Sequence, residues 1–116
     1  MQIKKFIWIT AQKELIHQYP GAPSDVDFLR HPHRHLFKFR IKISVNDDNR
    51  EIEFIMFKRF VETVLLKFDN LEHKSCEMLS NELHELISDR YTNRSMEIEV
   101  SEDGENGSYI IYEAEK

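Results

Sequence analysis

Two histidines one residue apart, His33 and His35, open the stretch HRHLFKFRIKISV, and a third, His17, ends the apolar segment before it. Neutral imidazole is the commonest protein ligand for metals, and side chains at i and i+2 of a strand share a face about 6.5–7 Å apart. The odd positions Phe37, Phe39, Ile41, Ile43 and Val45 are apolar, whereas the even positions Lys38, Arg40, Lys42 and Ser44 are polar. His33 and His35 therefore have buried parity if the strand begins at or just before His33. His17 joins them if the two strands are hairpin partners. Three neutral imidazoles leave an open position on tetrahedral zinc, as in catalytic centres, although iron or nickel would accept similar ligands. The alternative is that these are exposed loop histidines beside Pro32 and Arg34. His31 lies outside the alternation and is expected beside such a centre or facing a substrate, not as a ligand.

The same parity singles out Glu102, which follows Met96, Ile98 and Val100 on their apolar face. A carboxylate at the rim of a buried face needs donors, because an unpaired charge there is costly. It could anchor a ligand that offers two N–H groups, as the amidine edge of a pterin or guanine does. A carboxylate turned to water in the EDGENG loop is the alternative.

These residues need a scaffold. Gln2 to His17 reads as a strand whose imperfect alternation allows a bulge, and QYPGAPSD, Gln18 to Asp25, takes the chain out of the sheet. A second strand runs from His35 to Val45 and ends in the NDDN turn. Phe54, Phe57, Val61, Val64, Leu65 and Phe68, widened by Phe60, predict an amphipathic helix over Ile55 to Phe68. Ser75 can cap a second helix that buries Leu79, Leu83, Leu86 and Ile87 and ends by Arg90. Met96, Ile98 and Val100 mark a third strand, and Ser108 to Ala114 a fourth across the Glu102 to Gly107 loop. This order predicts an α+β domain: a four-stranded antiparallel sheet (β-β-α-α-β-β) with two helices packed on one face.

At 116 residues, with 41% hydrophobic residues, the chain suits one domain, 1–116. A net charge of −5 argues against a nucleic-acid partner, and Lys38, Arg40 and Lys42 are expected on a solvated strand face. The single cysteine, Cys76, excludes an internal disulfide. No run approaches the roughly 20 apolar residues that cross a bilayer, and MQIKKFIWITAQKE lacks a secretory pattern. A cytoplasmic protein without membrane attachment is expected.

Read together, these stretches resemble the pyruvoyl-tetrahydropterin synthase and 6-carboxy-tetrahydropterin synthase family, whose fold is the T-fold. HRHLF at His33–Phe37 is similar to the family's HGHxY, and LIH at Leu15–His17 to its upstream AAH. IEFIMFK at Ile52–Lys58 resembles DFxxLK, LEH at Leu71–His73 resembles LDH, SCEML at Ser75–Leu79 resembles TSEN, and VSED at Val100–Asp103 resembles the pterin-anchoring segment. The resemblance implies that His17, His33 and His35 bind Zn2+, which would polarise substrate oxygens in a lyase-type reaction. It also implies that His73, with Glu72 where the family has aspartate, moves a proton. Glu102 would anchor a pterin or purine-like ligand, with Cys76 and Glu77 at the substrate pocket. Homo-oligomeric rings, commonly hexamers, with sites at subunit boundaries complete the expectation.

The chain also departs from the family. Leu29 occupies the position of the family's catalytic cysteine, four residues before His33, so no thiolate can form there. Asp25, Asp27 or His31 could supply a replacement base. Arg34 replaces the glycine of HGH with opposite-face parity. Cys76 would begin a helix, where thiols gain acidity, but a buried structural role is the alternative. Beside the enzyme stand two other functions: a non-catalytic ring that binds or sequesters a purine-like nucleotide or signal, and a purely structural ring.

Overall fold

The computed structural model describes residues 1–115. Two long strands, β1 (Lys5–His17) and β2 (His33–Val45), are followed by α1 (Phe54–Leu65), β3 (Asn70–Glu72), α2 (Cys76–Arg90), β4 (Met96–Glu102) and β5 (Asn106–Tyr112). A short 3-10 helix, Ser24–Arg30, kinked at Val26, occupies the connection between β1 and β2. The class is α+β, as expected, but the sheet has five strands in the order β3-β1-β2-β4-β5 and is mixed, not four-stranded and antiparallel. The added strand is β3, which pairs parallel to β1 and overlaps the start of the LEH stretch. Three residues are too few to show an alternation, so β3 leaves no periodic signal.

The β1–β2 ladder runs unbroken from Lys5 opposite Val45 to His17 opposite His33. The bulge allowed by β1's imperfect alternation is absent from this pairing; a register shift occurs instead between Ile16 and His17, where β3 joins the other side. Strand alternation sends Ile9, Ala11 and Leu15 of β1, Phe37, Phe39, Ile41 and Ile43 of β2, and Met96, Ile98 and Val100 of β4 into one core. On that face α1 and α2 contribute Phe57, Val61, Val64, Leu65, Leu79, Leu83 and Ile87. The opposite face carries Trp8 with the Arg40 guanidinium 4.4 Å from its ring centroid, and Lys42 3.6 Å from Glu97. The basic strip is thus partly neutralised on an outer face.

Both helices start where a side chain caps them. Glu53 accepts from the backbone N–H groups of Ile55 and Met56, and Ser75 Oγ accepts from Met78 N at 3.2 Å. Helix α1 stops at Leu65, short of the expected Phe68, because its end tightens into i→i−3 bonds, Lys67 N to Val64 O and Phe68 N to Leu65 O. Phe68 is still buried through that turn, whereas Phe54, counted in the apolar stripe, is 54% exposed.

The β4–β5 hairpin is tighter than the EDGENG loop suggests. Asp103 and Gly104 have φ of 59° and 75°, and Glu105 N donates to Glu102 O at 3.1 Å, so the turn closes within three residues. Glu102 consequently stays in β4. At Gly107 the strands approach so closely that a Cβ would lie 1.9 Å from the carbonyl oxygen of Val100. Gly107→Ala is expected to cost about 1–3 kcal/mol of stability through forced separation of the hairpin, read as a lowered thermal midpoint; an unchanged midpoint would refute the close approach.

Candidate metal centre

The β1–β2 register sets His17 directly opposite His33, and His35 lies two residues along the same face. The three rings meet edge to face, with centroids 4.6 Å apart for His17–His33, 4.9 Å for His33–His35 and 5.4 Å for His17–His35. One nitrogen from each lies within 4.8 Å of the other two. Phe37 forms the floor, 5.2 Å from the His17 ring and 6.0 Å from that of His35.

The other ring nitrogens determine the tautomers. His17 Nδ1 is 3.1 Å from the carbonyl oxygen of Lys74, and His33 Nδ1 is 2.8 Å from that of His31. His35 Nδ1 is 2.8 Å from Asp103 Oδ2. Carbonyl and carboxylate oxygens accept and do not donate, so each neutral imidazole carries its hydrogen on Nδ1 and leaves a lone pair on Nε2. All three Nε2 atoms are buried and have no hydrogen-bond partner among the described residues. Buried polar atoms are normally satisfied; three orphaned lone pairs converging on one point fit a cation. Holding Nδ1 by an outer acceptor is also the usual way a metal-binding histidine is oriented.

Asp103 acts in this way because of the hairpin turn. Its positive φ turns the side chain back onto β2, where Oδ1 accepts from Leu36 N at 3.0 Å while Oδ2 accepts from His35 Nδ1. Those two bonds hold the Asp103 carboxyl below the usual carboxylate range. Glu102 faces the cluster as its parity requires, with Oε2 2.8 Å from His17 Nε2 and Oε1 3.8 Å from His35 Nε2. The first contact is short, yet it lacks hydrogen-bond alignment.

The structure brings together His17, His33, His35 and Glu102, sets the buried Cys76 near Glu102, and leaves the other candidates apart. Asp25, Asp27 and His31 are exposed in and after the 3-10 helix, and His31 serves the cluster through its backbone carbonyl alone. Glu72, His73 and Glu77 are exposed and outside the cluster, although the adjacent Lys74 lends its carbonyl to His17. Leu29 is half-buried, and Arg34 points outward, 3.8 Å from Glu14. Burial, with the nearby Glu102 and Glu77 charges, pushes the Cys76 thiol up to about 11, the opposite of the acidity expected for a thiol at a helix start. Asp103 and the Lys74 carbonyl were not legible as site groups. The Asp-Gly dipeptide beside Glu102 is the one signal for the first, and the second involves no side chain.

Burial lowers the His17 pKa below its ordinary 6.5, outweighing the upward pull of the Lys74 bond and of Glu102. Burial lowers His84 in the same direction. The unfolded chain therefore binds protons at these groups more readily than the native one, and stability falls as pH drops below 6.5. The metal-free protein is expected to melt at a lower temperature at about pH 5.5 than at about pH 7.5. A flat profile would contradict the buried neutral state of His17.

No protein-family model and no curated protein matches this chain.

Proposed function

We propose that this protein holds a zinc ion on His17, His33 and His35 and uses that centre to bind a pterin or purine-type molecule. The observation that carries the proposal is the convergence of three buried imidazole lone pairs, each oriented by an acceptor on its Nδ1. Three neutral nitrogen ligands suit zinc, with iron and nickel as competitors. Bound there, zinc supplies Lewis-acid polarisation of a ligand oxygen. Support for the ligand class is the sequence resemblance together with the Glu102 carboxylate beside the centre. The two helices on one sheet face are compatible with a T-fold, and the edge strands β3 and β5 are available for pairing in a ring.

Binding is favoured over turnover within one chain. Leu29 offers no nucleophile, the Cys76 thiol is held protonated, and His73 stands in solvent. A lyase-type reaction is the second reading, favoured by the chain continuity from His73 to Lys74, whose carbonyl orients His17. In it His73 transfers a proton, with Glu72 beside it, across a subunit boundary.

Elemental analysis of protein purified without chelators is the primary test: about one zinc per chain is expected, and a chain that neither retains nor takes up metal would overturn the proposal. Pterins and guanine nucleotides are then screened for a rise in the melting temperature of the zinc form. Consumption of such a ligand, lost in His73→Ala, would establish the lyase; a shift without consumption would establish the binding protein.

A further inference from the structure

The position of Glu102 deepens this assignment and rests on it. Two carboxylates border the three histidines, and they approach different nitrogens. Asp103 contacts Nδ1 of His35, the side facing away from the convergence point, and so orients the ring from outside. Glu102 instead meets the inward nitrogens, 2.8 Å from His17 Nε2 and 3.8 Å from His35 Nε2.

A hydrogen bond does not explain that approach. His17 Nδ1 carries the ring hydrogen toward Lys74 O, so Nε2 presents a lone pair to a carboxylate oxygen. Two lone pairs at that distance repel, and the atoms lack the alignment that a proton between them would require. A cation bound to both removes the conflict. With metal–nitrogen and metal–oxygen arms of about 2.0–2.2 Å, two ligand atoms of a tetrahedral zinc stand roughly 3.3–3.5 Å apart. The two observed separations fall on either side of that range. Among the described residues the hydrogen bond to this carboxylate is from Asn106 Nδ2 to Oε1 at 3.3 Å, which steadies one oxygen and leaves Oε2 for the centre.

We infer that Glu102 is a fourth protein ligand, so that His17, His33, His35 and Glu102 together close the coordination shell of the ion. Three imidazoles and a carboxylate leave a tetrahedral ion no open position. An incoming group reaches the metal only by displacing Glu102, and a ligand offering two N–H donors to that carboxylate would do so. Retention of Glu102 in β4 by the tight Asp103–Gly104 turn is what makes this arrangement reachable.

The test uses the full chain loaded with Co2+ as a spectroscopic substitute for Zn2+, with azide as a probe of an open position. Wild-type protein is expected to show no azide-induced change in its visible spectrum, whereas Glu102→Ala binds azide. Chelator competition with Zn2+ should show Glu102→Ala and Glu102→Gln weaker by at least about tenfold. Glu102→Gln preserves side-chain volume, and its melting temperature in the metal-free form guards against misfolding as the cause. Azide binding to the wild type as readily as to Glu102→Ala, or unchanged zinc affinity in both variants, would overturn the fourth-ligand role while leaving the three-histidine centre intact. A wild-type chain that takes up neither metal overturns both.

Discussion

His33→Ala is expected to abolish stoichiometric zinc binding while His31→Ala leaves it intact. The two histidines are neighbours in a polar loop-to-strand junction, and sequence composition does not separate them. Their side chains have different positions: His33 places a buried, unpartnered Nε2 among those of His17 and His35, whereas the His31 side chain is exposed. What His31 gives the centre is its carbonyl oxygen, 2.8 Å from His33 Nδ1, and that atom survives the alanine substitution. Loss of an outer partner of a metal ligand costs about 10–100-fold in affinity, so loss of a ligand should exceed it. Chelator-competition titration measures both variants. Tight one-to-one zinc binding by His33→Ala would refute the centre.

The second large effect is expected at Phe37, which is fully buried and also floors the imidazole cluster. Truncating a core phenylalanine costs roughly 3–5 kcal/mol through lost burial and the cavity left behind. In a domain of this size that corresponds to a fall of roughly 10–25 °C in the melting temperature. Phe39 supplies the comparison, because it is 1% exposed and on the same strand face but forms no ring pair with the histidines among the described residues. Phe39→Ala should be destabilised by a similar amount and, assayed below its melting temperature, keep its zinc affinity. Phe37→Ala should lose both, because without the ring the His17 and His35 imidazoles can tilt out of convergence. Equal zinc affinities in the two variants would show that the floor does not position the ligands.

Much of this arrangement was legible because it is local. A pleated strand sends alternate side chains to opposite faces whatever the rest of the fold does, so the parity of Phe37 and Phe39 assigned His33 and His35 to the buried side. The same rule placed Glu102 with Val100, and it sent Arg34 outward. Ser75 was legible as a cap because the hydroxyl satisfies an N–H three residues away. The tightened end of α1 and the exposure of Phe54 were not, since each depends on how the helix meets the sheet, and the Glu53 cap, though local, uses a residue type outside the usual capping set. The resemblance to the pyruvoyl-tetrahydropterin synthase family proposed roles for Glu72, His73 and Glu77 that the single chain leaves exposed and outside the cluster.

What the sequence by itself determined is therefore a set of faces: which side chains of each strand and helix turn inward, and which residue types stand ready there to bind a metal. Only the tertiary structure decided which of them meet. The pairing of His17 with His33 spans the Pro- and Gly-containing loop between the long strands, and the closure of that loop is not encoded in any local periodicity. The Asp103–Gly104 turn then brings one carboxylate to the outer nitrogen of His35 and keeps another beside the inner nitrogen of His17. Strand β3, three residues long, carries the chain to Lys74, whose carbonyl fixes the His17 tautomer. Parity follows from the geometry of one strand, but register, turn closure and tautomer follow from pairings between segments far apart in the chain.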